Sequence, residues 1–124
     1  GDINFLLNRE TAGQPGAFRN QHGAGANAMA FRVKDAAYAF REALRRGAKP
    51  IEAKAGPMEL NIPGIEGIGG LNVYLVDRYA DEHGQGLSIY DIDFEYLPGV
   101  DHFPAGAGFD RIDHLTHNVY NGRM

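Results

Sequence analysis

The most constraining feature of this chain is a change of hydrophobic period over residues 29–47. Met29-Ala30-Phe31-Arg32-Val33 alternates, placing Met29, Phe31 and Val33 on one strand face. The period then switches: Ala36, Ala39, Phe40, Ala43 and Leu44 recur at helical spacing and form one buried stripe. Asp35 stands where an N-cap is needed, Arg45 and Arg46 suit the negative end of the helix dipole, and Gly47 suits a left-handed stop. A strand feeding directly into a punctuated helix commits the region to a mixed α/β layer rather than an all-helical or all-β one.

The remaining segments extend this unit. Ile3, Phe5 and Leu7 alternate and predict a strand over residues 3–8, whereas residues 9–26, rich in Gly, Asn, Gln and Ala, read as a loop. A short strand is expected at 50–53, a Pro/Gly-punctuated stretch at 56–70, and strands at 73–76 and 88–97. In the last of these, Tyr90, Ile92, Phe94 and Tyr96 face one way while Asp91, Asp93 and Glu95 face the other. Residues 98–109 read as a linker, and a new strand is expected at 112–119. The fold class is therefore α+β, with one β-α-β-β-β unit over residues 28–97.

Bulk properties narrow the partners. With 12 Lys and Arg against 16 Asp and Glu, the net charge is −4 and no basic run is present, which argues against nucleic acid or an anionic membrane. There is no cysteine, so disulfides and thiolate nucleophiles are excluded, as suits a cytoplasmic protein. No apolar run approaches the roughly 20 residues of a membrane span, and the first residues show no charged-then-apolar signal pattern. The first residues, Gly1-Asp2-Ile3, enter a strand at once, and the last, Asn121-Gly122-Arg123-Met124, carry no helix stop; both ends are expected to be cuts through something larger.

Four groups of residues invite a chemical reading. In Asp113-His114-Leu115-Thr116-His117, strand alternation puts His114 and His117 on opposite faces, so they do not share one metal. A neutral imidazole at His114 suits Fe, Zn, Cu or Ni, although on spacing alone a lone strand histidine is more often structural. Asp91-x-Asp93-x-Glu95 offers three carboxylates to a divalent cation, but reads more readily as the solvated face of a half-buried sheet. Gly64-x-x-Gly67-x-Gly69-Gly70 leads into a strand instead of opening a helix, so it predicts a tight turn or bulge and no phosphate loop. His22, His83 and His102 fall in loops without ligand spacing, and Asp77 and Asp113 stand as ordinary strand-end polar residues.

Six blocks, taken in order, carry a family resemblance. They are Met29-Ala30-Phe31-Arg32-Val33-Lys34-Asp35-Ala36, Gly56-Pro57-Met58-Glu59-Leu60-Asn61-Ile62-Pro63, Ile65-Glu66-Gly67-Ile68-Gly69-Gly70, Tyr74-Leu75-Val76-Asp77-Arg78, Ser88-Ile89-Tyr90-Asp91-Ile92-Asp93-Phe94 and Ile112-Asp113-His114-Leu115-Thr116-His117-Asn118-Val119. Together they resemble the bacterial 4-hydroxyphenylpyruvate dioxygenases over essentially the whole chain. That resemblance implies the vicinal-oxygen-chelate (glyoxalase-like) fold, with residues 1–10 a remnant strand of a preceding module and 28–97 a complete non-catalytic module. Residues 98–110 would be a linker and 111–124 the truncated first strand of the catalytic half.

By the same resemblance His114 is the first of three Fe(II) ligands, the second histidine and the glutamate lying outside this chain, and His117 is not a ligand. The implied reaction takes a 2-oxo acid, 4-hydroxyphenylpyruvate, and O2 to homogentisate in tyrosine catabolism, with no catalytic group carried by this piece. The fragment alone is expected to be inactive, to bind no cofactor and to self-associate as a homo-oligomer. Two alternatives stand beside this reading: a 4-hydroxymandelate synthase-like outcome, and a metal-free binding module of the same fold.

Overall fold

A computed structural model describes residues 3–52, 60–80, 86–102 and 104–122. The chain divides into two compact units, one made of residues 9–95 and the other of residues 1–8 with 96–124. The larger unit holds every helix and strand found among the described residues: α1 (Gly13–His22), β1 (Ala28–Arg32), α2 (Ala36–Arg45), β2 (Gly64–Glu66), a 3-10 turn (Ile68–Gly70), β3 (Asn72–Val76) and α3 (Ile89–Asp93).

The sheet has the order β1-β3-β2, with β1 parallel and β2 antiparallel to the central β3. The register pairs Met29 with Val73 and Phe31 with Leu75, and Ile65 with Val73, so these apolar side chains share one face. Arg32, Asn72 and Tyr74 lie on the other. Next to β2, Pro50 bridges Ile65, and the bonds Ile51 N–H to Gly64 O (3.1 Å) and Glu66 N–H to Lys49 O (2.8 Å) continue the pairing. From β1 onward the described strands and helices run β1, α2, β2, β3, α3, with an isolated bridge at Pro50 before β2, a mixed α+β arrangement whose sheet has three strands. The strand placement differs from that expected. The last strand is 72–76 and not 88–97, and a strand occupies 64–66, inside the stretch expected to be only a turn.

The helix over 36–45 forms for the reasons its sequence gives. Asp35 accepts the Tyr38 N–H at 2.7 Å, and Asp77, just past β3, accepts the Ala36 N–H at 2.9 Å, so two otherwise orphaned donors of the first turn are satisfied. At the other end Gly47 has φ +97°, with Gly47 N–H to Leu44 O (2.9 Å) and Ala48 N–H to Ala43 O (3.0 Å), a Schellman ending. Glu42 takes Arg45 in a two-pronged contact and Arg46 as well, and these guanidiniums hold its carboxyl below the ordinary range. Both arginines are largely exposed, so the contribution of these ion pairs to stability is small.

The glycine cluster does build a turn. Gly67 N–H bonds Leu71 O at 2.7 Å, and Gly70 sits at φ +84°. A Cβ on Gly67 would lie 2.8 Å from Leu71 Cδ2 and 2.9 Å from the Leu71 carbonyl oxygen, so only glycine fits.

Five expectations are corrected. Residues 13–22, read as a loop, are α1, which Gln14 and His22 fasten to the β2–β3 turn by side-chain bonds that local composition does not announce. Residues 88–97 are not a strand. Ser88 donates both its N–H (2.8 Å) and its hydroxyl (2.7 Å) to Asp91, a capping box that starts α3. Residues 3–8 and 112–119 form no strand and pair with no described strand, and a strand requires a ladder partner. At 50–53 only the bridge at Pro50 forms; Ala53 lies outside the described residues.

Two substitutions test this account by urea unfolding. Asp35→Ala should lower stability by about 1 kcal/mol through loss of the cap, and Gly67→Ala by about 1–3 kcal/mol through overpacking against Leu71. Unchanged midpoints would contradict the assigned contacts.

Candidate functional site

In the unit made of residues 1–8 and 96–124, the candidate metal ligand is His114. Its side chain is 73% exposed, and its Nδ1 lies 2.5 Å from Oδ2 of Asp113. A carboxylate on Nδ1 fixes that nitrogen as the N–H and leaves Nε2 as the lone-pair donor, the arrangement found behind metal-bound histidines. Asp113, read from sequence as an ordinary polar residue, is therefore the group that orients His114. The same unit places His102 flat against Tyr96, ring centroids 4.0 Å apart at 13°. Because residues 112–119 form no strand, alternation no longer separates His117 from His114; both are exposed.

Among the described residues no group of three His, Cys, Asp or Glu side chains is arranged to hold a metal ion. The carboxylates proposed for a shared strand face are dispersed by α3. Asp91 turns back to Ser88, and Asp93 accepts the Leu60 N–H at 2.9 Å. His114 thus offers one donor of the right chemistry and no surrounding set.

The unit of residues 9–95 carries polar contacts that sequence reasoning missed. Gln14 Nε2 donates to the carbonyls of Asn27 (2.8 Å) and Gly70 (2.7 Å), and Asn27 Nδ2 returns a bond to Gln14 Oε1 at 2.8 Å. His22, expected in a loop, ends α1 with Nε2 at 2.8 Å from the Gly69 carbonyl, so that nitrogen carries the proton. His83 lies outside the described residues. At the end of β1, the Arg32 guanidinium lies over the Tyr79 ring, 5.2 Å from its centroid. Burial raises the pKa of Tyr90, and the charge of Arg32 opposes part of that rise. The only sequence signal for this cluster is alternation, which puts Arg32 opposite Met29 and Phe31.

No helix among the described residues is long and apolar enough to cross a membrane. The sequence profile of the hydroxyphenylpyruvate dioxygenase N-terminal family, a glyoxalase-type domain, matches residues 1–95. A 4-hydroxyphenylpyruvate dioxygenase of Pseudomonas sp. (strain P.J. 874) is 55% identical over 124 residues, all of this chain and 34% of that protein. One from Pseudomonas aeruginosa is 49% identical over 123 residues, 99% of this chain and 33% of that protein. Hemolysin VllY of Vibrio vulnificus is 45% identical, with 100% and 34% covered. The chain spans about a third of the length of these curated relatives.

The polar fastening of α1 predicts a local effect. Gln14→Ala combined with His22→Ala should raise amide exchange across residues 13–22 about tenfold or more while β3 stays protected. Uniform loss of protection across both segments would show that α1 is not separately held.

Proposed function

The chain belongs to the family of the hydroxyphenylpyruvate dioxygenase N-terminal domain, and from that premise we propose that it is an internal piece of an enzyme converting 4-hydroxyphenylpyruvate and O2 to homogentisate. The observation that carries this reading is similarity over 124 residues to one dioxygenase bearing that name and over 123 residues to another. The same names favour the dioxygenase outcome over the 4-hydroxymandelate synthase one. We place the whole protein in tyrosine catabolism, in the cytoplasm and in a homo-oligomer; the chain's lack of cysteine suits a reducing compartment.

Within that protein residues 1–10 would close a preceding module, 28–97 would be the non-catalytic module, 98–110 the linker and 111–124 the start of the catalytic half. The break between compact units at residues 95 and 96 supports a boundary near there.

His114 is the residue of this chain proposed to hold Fe(II), through Nε2, with Asp113 keeping the ring oriented and Nδ1 protonated. Bound Fe(II) supplies a Lewis-acidic centre with open positions for a 2-oxo acid and O2. One imidazole is too few donors to retain the ion against water, so the chain by itself is inactive. A metal-free module of this fold is the competing reading.

Expression of the uninterrupted reading frame separates these readings. The full-length protein should contain iron and release homogentisate, and His114→Ala should abolish both while leaving the circular dichroism unchanged. Asp113→Asn should weaken metal affinity by about 10–100-fold. Purified 124-residue chain with Fe(II) and ascorbate should form no homogentisate. Full activity in His114→Ala would remove His114 from the metal, and an iron-free, inactive full-length protein would favour the metal-free module.

A further inference from the structure

We propose that Asn121, in the unit of residues 1–8 and 96–124, is a site of covalent modification. Its side chain closes on the backbone nitrogen of Gly122 to a succinimide, which opens to isoaspartate or aspartate. Eight asparagines occur in the chain; Asn121 alone is followed by glycine, and every other precedes a residue that carries a Cβ. Asn121 and Gly122 form a turn, and both are exposed. Gly122 sits at φ +76°, with no atom within 4 Å of the position a Cβ would take. An open concavity of about 320 Å³ is lined by Val119, Tyr120, Asn121 and Gly122, so the side chain has room to swing. Among the described residues nothing hydrogen-bonds the Asn121 amide. Other asparagines are held: Asn27 bonds Gln14, Asn72 bonds Tyr74, and Asn20 lies inside α1.

Hydroxide takes the Gly122 N–H proton, and the nitrogen attacks Cγ of Asn121. The Cγ–Nδ2 bond breaks, ammonia leaves with a proton from water, and the succinimide remains. Water then opens the ring. Cleavage between the nitrogen and Cγ gives aspartate, whereas cleavage between the nitrogen and the Asn121 carbonyl carbon gives isoaspartate. An amide and a water thus become a carboxylate and an ammonium ion, with no electron transferred and no co-reactant besides water. Ring closure requires a backbone nitrogen to reach the side chain that precedes it. A Cβ on the following residue crowds that approach and narrows the backbone rotations that allow it; glycine does neither. Exposure supplies water and hydroxide, and an amide without hydrogen bonds loses none on turning inward. Either product adds a negative charge to a chain whose net charge is −4. Isoaspartate also inserts a methylene into the backbone just before Gly122.

The 124-residue chain, aged in mildly alkaline buffer, is followed by anion exchange, intact mass and peptide mapping. An acidic form should accumulate with matching release of ammonia, faster than in mildly acidic buffer, and fragmentation should place the change at Asn121. The aged chain should accept methyl groups from an isoaspartyl methyltransferase, which the fresh chain should not. Asn121→Gln should remove the acidic form, while Asn118→Gln should leave its rate unchanged. Gly122→Val should slow the reaction by about tenfold or more. That variant strains a turn at positive φ, so if it unfolds, Asn121→Gln, which keeps the glycine, carries the test. Ageing in urea should proceed at a comparable rate, because the native turn leaves the pair open. No acidic form, first modification at another asparagine, an unchanged rate in a folded Gly122→Val, or a reaction confined to the unfolded chain would overturn the proposal. Neither iron nor turnover is read out, so failure here is distinct from failure of the dioxygenase reading.

Discussion

The larger unit depends on β3 being hydrogen-bonded on both edges. β1 pairs with all five of its residues and β2 with Asn72 to Tyr74, while the Leu75 N–H reaches the Pro63 carbonyl at 2.9 Å. Leu75 and Val76 are accordingly among the few buried apolar residues, with Leu71 just before the strand. An interior backbone without such partners would cost more than the side chains return. The flanks of β3 then carry the helices. Asp77 completes the first turn of α2, the Arg78 carbonyl receives α3, and the turn before β3 presents the Gly69 and Gly70 carbonyls that hold α1. Three helices are thereby fixed by side-chain or backbone bonds to residues within a few positions of one strand.

How much of this was legible in the sequence follows from the range over which each signal acts. The cap at Asp35, the stop at Gly47 and the turn around Gly67 are local, and each was readable because the residue type answers a need within four positions. The β1–β3 pairing, the Asp77 contact with α2 and the Gln14 contact that places α1 join residues 41 to 56 positions apart, and no window of sequence contains both ends. Residues 88–97 are the instructive failure. Tyr90, Ile92, Phe94 and Tyr96 alternate like a strand, yet Tyr90 and Phe94 are also four apart and touch on one side of a helix. The competing signal, Ser88 three residues before Asp91, was present in the sequence, and it decides the outcome because it satisfies donors at once while a strand must find a neighbour.

The same contrast governs residues 3–8 and 112–119. Their alternation is real, but a strand is a property of two segments, and neither finds a ladder partner among the described residues. Phe5, Leu7, Ile112 and Leu115 are left exposed in consequence. No inspection of these segments alone could supply that partner.

For the candidate metal ligand, the decisive issue is how many donors converge, and this limits what any one residue can show. Asp113 raises His114 above its solvated neighbours, since an imidazole with a carboxylate on Nδ1 is prepared to offer Nε2. Both side chains are largely exposed, however, so the pair is soft and its orientation is shared with water. A metal would tighten it only where further donors fix the ring in the same frame. Ring preparation is thus encoded next to the histidine in sequence, while metal retention is encoded in residues that the fold must bring from elsewhere. That division explains why an oriented imidazole is by itself one donor and not a metal site.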